Sequence, residues 1–138
     1  MNVEIIALCD AATDQQGKLN ILGAFDTIFA KSLPVVHPQC AVALRLRFQR
    51  IEQGNHKITL HLVDEDGNLV IPSLDADLQL QSPPQQDSGS VNMVLNIQKL
   101  KLEKYGSYAI NLAIDGRQEA SIPFYVRESS VEQAKPAG

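Results

Sequence analysis

The sequence predicts an all-β sandwich, and three observations predict it. Apolar and polar residues alternate with a period of two through most of the chain. The segments between these runs are rich in Gly, Asn, Asp and Pro. The length, 138 residues, suits one buried core. Hydrophobic residues make up 44% and charged residues 20%, close to the globular average, which excludes a wholly disordered chain.

The first thirty residues read as an added β-hairpin spanning 3–30. Two extended segments, 3–12 and 18–30, flank a turn at 14–17. Their apolar residues run almost without a break: Ile5, Ile6, Ala7 and Leu8, then Ile21, Leu22, Gly23, Ala24 and Phe25. Such runs imply burial on both faces. One face should meet the core, and the other should be covered by a loop or a second chain.

Strict alternation begins after Pro38. Val42, Leu44, Leu46 and Phe48 alternate with Ala43, Arg45 and Arg47. Ile58, Leu60 and Leu62 follow, then Leu74 to Leu80, Val91 to Ile97, Tyr108 to Ile114 and Ala120 to Val126. Gly54-Asn55, Asp66-Gly67 and Asp115-Gly116 mark the turns, the last being a strong hairpin signal. Pro123 requires an edge or a bulge in the last strand, because proline cannot donate to a ladder. The expected organisation is a single domain over 1–126, with sandwich strands in 38–126. Residues 127–138 lose the period and are expected to form a flexible tail.

Net charge is −4, concentrated in residues 51–90, which hold seven acidic residues and one basic one, Lys57. Without a basic stripe the chain is a poor nucleic-acid ligand. Aromatic content of 5% and the absence of Trp argue against base or sugar stacking. No stretch approaches the ~20 apolar residues of a membrane span. The N-terminus lacks a signal-peptide pattern, so a cytoplasmic location is expected. Cys9 and Cys40 are expected to be buried, reduced thiols.

Leu95-x-Ile97-x-x-Leu100 precedes Tyr105-Gly106-Ser107-Tyr108. This resembles the tyrosine corner of immunoglobulin-like antiparallel sandwiches, in which a Tyr near a strand start bonds back to upstream backbone. The resemblance gives Leu100, Gly106 and Tyr108 structural roles. Ile110 stands where an antibody domain has Cys, so the likeness is to the architecture over 38–126. A second set of residues spans the chain: Leu8-Cys9-Asp10, the run from Gly17 to Ile28, Pro34 and His37-Pro38. It resembles a family of small uncharacterised bacterial proteins. That resemblance implies no activity, because the family's function is unknown.

Chemistry is sparse. His56 and His61 lie five apart on one strand and should point to opposite faces, and no Cys or His pair has zinc spacing, so no metal site is expected. Asp64 and Asp66 could serve a calcium loop, but strand resumes at Leu69 with no bidentate Glu following, and a tight turn needs the same residues. Asp75 and Asp77 share a strand face and are expected to pair with Arg45 or Arg47. No nucleophile elbow or phosphate loop occurs. Asp26 and Thr27 interrupt the apolar stretch ending at Phe29. Asp26 should cap backbone amides where the chain crosses between sheets, or else line a pocket with His37.

The specific function is therefore unknown from sequence. The favoured expectation is a non-enzymatic binding or assembly module without a cofactor. It would act through the hairpin (Ile6, Leu8, Leu22) or through a weakly charged sheet face of Thr59, Ala109, Asn111, Ala113 and Tyr125. A homodimer is the expected assembly, with a protein partner as the other option. The alternatives are a small hydrolase or lyase using Asp26 and His37, and a calcium module using Asp64 and Asp66.

Overall fold

Alternation sends every second side chain to the same face, and two packed sheets follow from it. The computed structural model describes residues 1–129. One sheet has four strands in the order β2 (Lys18–Ala24), β1 (Asn2–Gln15), β4 (Val35–Gln49), β7 (Ser88–Leu102). The other has five, in the order β3 (Thr27–Ala30), β9 (Arg117–Glu128), β8 (Gly106–Ile114), β5 (Gly54–Val63), β6 (Leu74–Leu80). Neighbours are antiparallel except β3 and β9, which run parallel. The fold is an all-β sandwich.

The inward sets named by the alternation fill the space between the sheets. Val42, Leu44 and Leu46 of β4 meet Ile58, Leu60 and Leu62 of β5 and Ile110 and Leu112 of β8, all at most 1% exposed. Burying each such side chain stabilises the fold by roughly 1.5–3 kcal/mol. Leu100, Gly106 and Tyr108 lie where β7 passes into β8. Leu100 is fully buried, and the Tyr108 hydroxyl donates to the Lys104 carbonyl at 2.6 Å. Tyr108 also stacks on Phe124, with centroids 5.0 Å apart. Gly106 has φ +135°, and a Cβ there would collide with the Glu65 carboxylate.

The N-terminal segment differs from its expectation. The hairpin is there, but only the second half of β1 belongs to it: β1 pairs with β4 over residues 2–9 and with β2 over residues 9–15, so its first half is a strand of the four-stranded sheet. Leu8 belongs to the main core at 3% exposure, not to an outer surface, because its register partner Val42 points inward. Ile6 packs half-buried against the same core. The chain then leaves the hairpin at Phe25 and enters the other sheet as β3. Strand β9 runs two residues past 126, because Arg127 and Glu128 pair with Phe29 and Ala30. The Ser129 amide then donates to the Ala30 carbonyl at 3.0 Å, and residues 130–138 of the expected tail lie outside the described residues.

Pro123 is accommodated as an edge. The Tyr125 amide donates to the Asp26 carbonyl at 2.8 Å, so amides of that parity face β3. Pro123 has the same parity but lies before β3 begins, where no acceptor waits.

Candidate functional site

Each sheet has an outer face, and the two are finished differently. On the four-stranded sheet the outward residues of β4 and β7 include Ala41, Ala43, Val94 and Asn92. Pairing of β1 with β4 ends at Cys9 and Ala41. Beyond that point the β1–β2 hairpin folds back over the outer face. Ala12 and Leu19 of the hairpin pack on Cys9, Ala41 and Ala43, which are all 0% exposed. Asn92 pins the tip, donating to Asp14 Oδ1 and to the Gly17 carbonyl, both at 3.1 Å. Its own Oδ1 accepts from Arg45 at 2.9 Å.

The remainder of that face is an ion network. A bulge between Val3 and Ile5 turns Glu4 outward. Glu4 accepts from Arg45 Nε at 3.0 Å and Arg47 Nε at 2.6 Å. The Arg47 hydrogen bond holds its carboxyl below the usual range. Arg45 and Arg47 are therefore engaged by Glu4, not by Asp75 and Asp77, which lie in the other sheet. Asp75 instead accepts from the Thr59 hydroxyl at 2.9 Å, and Asp77 lies opposite Lys57 in the ladder.

The outer face of the five-stranded sheet has no such cover. Thr59 pairs with Ala113, Val63 with Ala109, Asn111 with Ser121 and Ser107 with Tyr125. Thr59, Ala109, Asn111, Ala113 and Tyr125 thus form one continuous patch across β5, β8 and β9, and each is partly exposed. Polar groups on it bond sideways rather than outward: Ser121 donates to Asn111 Oδ1 at 2.7 Å. Arg127 lies over the Tyr125 ring, 4.9 Å from its centroid. The named patch residues include no Lys, Arg, Asp or Glu, and His61 lies beside Asn111 on the same face. Leu22 faces away from the sheet on the hairpin's far side and is 69% exposed.

Asp26 and His37 line two different clefts, which meet at Ala24 and Phe25. Asp26 marks the crossing between sheets, but its side chain is exposed and accepts from the Thr27 hydroxyl at 2.8 Å instead of capping amides. It borders a cleft between β1 and β9, with Ile6, Leu8 and Pro123. His37 lines a different open cleft of about 350 Å³, with Asp10, Thr27, Phe25 and Phe29. The Phe25 ring, 5.5 Å from the His37 ring, borders both. The acid in the His37 cleft is Asp10, which sequence reasoning passed over. Its side chain packs where a Cβ on Gly23 would sit, and Gly23 has φ +67°.

The acidic turn is internally engaged. Asp64 Oδ1 accepts from the Asp66 and Asn68 amides at 2.9 and 3.0 Å. Lys104 Nζ lies 3.5 Å from carboxylate oxygens of both Asp64 and Asp66. Glu65 accepts from the Ser107 amide at 2.8 Å. The turn therefore staples the β5–β6 connection to the start of β8. Among the described residues no group of three or more His, Cys, Asp or Glu could hold a metal ion.

Cys9 and Cys40 are buried and free, on opposite sides of the same sheet: Cys40 in the main core, Cys9 under the hairpin. Burial pushes the Cys40 thiol up to about 11 and raises that of Cys9 as well. Such thiols are poor nucleophiles.

One titratable group is built for charge. His56 Nδ1 lies 2.6 Å from Asp115 Oδ2 and Nε2 lies 2.5 Å from the Glu52 carbonyl. A carboxylate and a carbonyl both accept, so the arrangement favours the doubly protonated ring. The Asp115 bond, then the Glu52 bond, raises its pKa. His61, by contrast, lies on the outer face opposite Asn111.

Among the described residues no helix is long and apolar enough to cross a membrane. No curated protein matches the chain. A family model does match, over residues 4–127. It spans both sheets, from the Glu4 bulge to the Arg127 that covers Tyr125. The chain belongs to this family of unknown function (DUF6941).

Proposed function

We propose that the protein is a non-enzymatic binding and assembly module that packs the outer face of its five-stranded sheet against a second copy. One observation carries this reading. Uncharged outward residues on the four-stranded sheet (Ala41, Ala43) are sealed by the chain's own hairpin, whereas Ala109, Asn111 and Ala113 on the other sheet are left partly exposed. A face of that composition suits an interface core, with Tyr125 as its aromatic anchor.

Area sets the strength. Strand spacing and rise give the five-strand face roughly 650 Å². A standard interface takes about 800 Å² from each partner. The dimer is therefore weak and forms with rising concentration. Light scattering over the micromolar to submillimolar range tests it: the mean mass should climb from monomer towards dimer, and Ala109→Glu should abolish the climb. A monomer at every concentration would refute the reading.

Two further parts of the reading have specific support. The Tyr108 bond to Lys104 supports an immunoglobulin-like sandwich. The two separated, reduced cysteines suit a reducing cytoplasm. The binding reading is favoured over a hydrolase or lyase because Asp26 and His37 line different clefts.

A further inference from the structure

Where the chain passes from β2 to β3 it changes sheets, and the crossing is tied down on both sides. The Phe25 amide donates to the Leu8 carbonyl at 2.9 Å. One residue later the Asp26 carbonyl accepts from the Tyr125 amide at 2.8 Å. Main-chain bonds to each sheet therefore set the walls of the open cleft of about 350 Å³ that holds Asp10 and His37. That volume falls at the small end of the range for small-molecule sites.

The lining is mostly apolar and carries charge of one sign. Phe25 stands on one side, with its ring tilted against His37. Phe29 of β3 also lines the cleft and is 53% exposed, so its ring offers a wall to an apolar group. Asp10 is the only Asp, Glu, Lys or Arg among the lining residues. Its carboxylate packs in the space that a Cβ on Gly23 would fill, so the glycine sets where the charge stands. Arg127, opposite Phe29 in the ladder, is drawn over the Tyr125 ring instead.

We propose that this cleft binds a small primary amine that carries an aromatic ring, with its ammonium on Asp10 and its ring against Phe25 and Phe29. The sign of the charge selects a cation over an anion. A cation beside phenyl faces is attracted by them as well as by the carboxylate. A primary ammonium has three donors and needs acceptors. Asp10 supplies one. The Thr27 hydroxyl already donates to Asp26 Oδ1 at 2.8 Å, so its oxygen is left to accept. The cation is organic and not metallic, because among the described residues no group of three or more His, Cys, Asp or Glu could hold a metal ion. Thr27 and Phe29 stand beside Tyr125 and Arg127, but none of the five residues assigned to the dimer lines the cleft, so either proposal can fail without the other.

The test titrates 2-phenylethylamine into the full, isotope-labelled chain and follows the amide resonances. Shifts should saturate with a Kd of about 1 mM, as befits an exposed ion pair, and should centre on residues 10, 23–29 and 37. Phenylacetate, with the same ring and the opposite charge, should leave those amides unmoved. Propylamine, an ammonium without a ring, should bind roughly threefold or more weakly. Asp10→Asn keeps the shape, removes the charge and should weaken 2-phenylethylamine by roughly fivefold or more. Phe29→Thr, at an exposed strand position, should weaken it by a similar factor. Nα-acetyl-lysine methylamide stands for a lysine side chain of a protein and should bind no better than propylamine. Absence of saturation by about 10 mM, equal binding of phenylacetate, unchanged affinity in either variant, or tighter binding of the lysine analogue than of 2-phenylethylamine would each overturn the proposal.

Discussion

The two outer faces of this sandwich begin from the same kind of sequence and end differently. Each carries alanines at outward positions: Ala41 and Ala43 on one, Ala109 and Ala113 on the other. On the four-stranded sheet, Ala41 and Ala43 are wholly buried because the β1–β2 hairpin lies over them and Asn92 ties down its tip. On the five-stranded sheet, Ala109 and Ala113 remain partly exposed. The lesson is that a bland outward face signals a cover. The cover comes from the chain itself in one case and, on the proposed reading, from a second copy in the other.

The largest expected effect separates the faces directly. Ala43→Glu forces a carboxylate into a fully buried position under the hairpin, and should destabilise the fold by about 3 kcal/mol or more. Ala109→Glu at monomer concentrations should change stability by no more than about 0.5 kcal/mol. Urea denaturation of both at low concentration measures the difference, and equal costs would break the comparison. Next comes the pin. Asn92→Ala removes its bonds to Asp14, Gly17 and Arg45 and should cost about 1–2 kcal/mol. Hydrogen exchange should quicken over residues 10–24 and stay unchanged over 106–114.

A smaller effect lies at the pole, away from both faces. The folded pKa of His56 is raised above its ordinary 6.5. Its stabilisation is therefore complete below about pH 6.5 and is lost as pH rises through the raised value. Asp115 works in the opposite direction: its pKa is lowered, chiefly by the Lys57 amide, so its contribution is lost only as pH falls through that lowered value. Melting temperatures followed upward from pH 6.5 should decline in the native chain, and His56→Gln should flatten that decline. The same slope should appear in monomer and dimer. Smallest of all is Leu22→Ser on the far side of the hairpin, where stability should shift by less than about 0.5 kcal/mol and association should not change.

The sandwich itself was legible because period two is a local signal. Val42, Leu44, Leu46, Ile58, Leu60, Ile110 and Leu112 all announce an inward face without knowledge of any partner. The Tyr108 bond to the Lys104 carbonyl is local in the same sense, since it spans four residues. The N-terminal segment was not legible, because periodicity cannot distinguish a strand covered by a neighbour from one that does the covering. Leu8 therefore looked like an interface residue although it is core. A usable signal was present in Ala41, Ala43 and Val94, three uncharged outward residues in succession on adjacent strands. Asp10 in the His37 cleft and Asn92 at the hairpin tip were out of reach, since both depend on contacts between segments distant in sequence. The partners of Arg45 and Arg47 were missed because one bulged residue redirected Glu4.

The central claim is that the bare face is the one a second copy covers. Hydrogen exchange recorded at low and at high protein concentration tests it most directly, because it reads both faces at once. The account predicts that amides in 107–113 and 121–126 gain protection as concentration rises, while those in 10–24 are protected equally at both. No concentration dependence on the five-stranded sheet, or a gain confined to the hairpin, would contradict it.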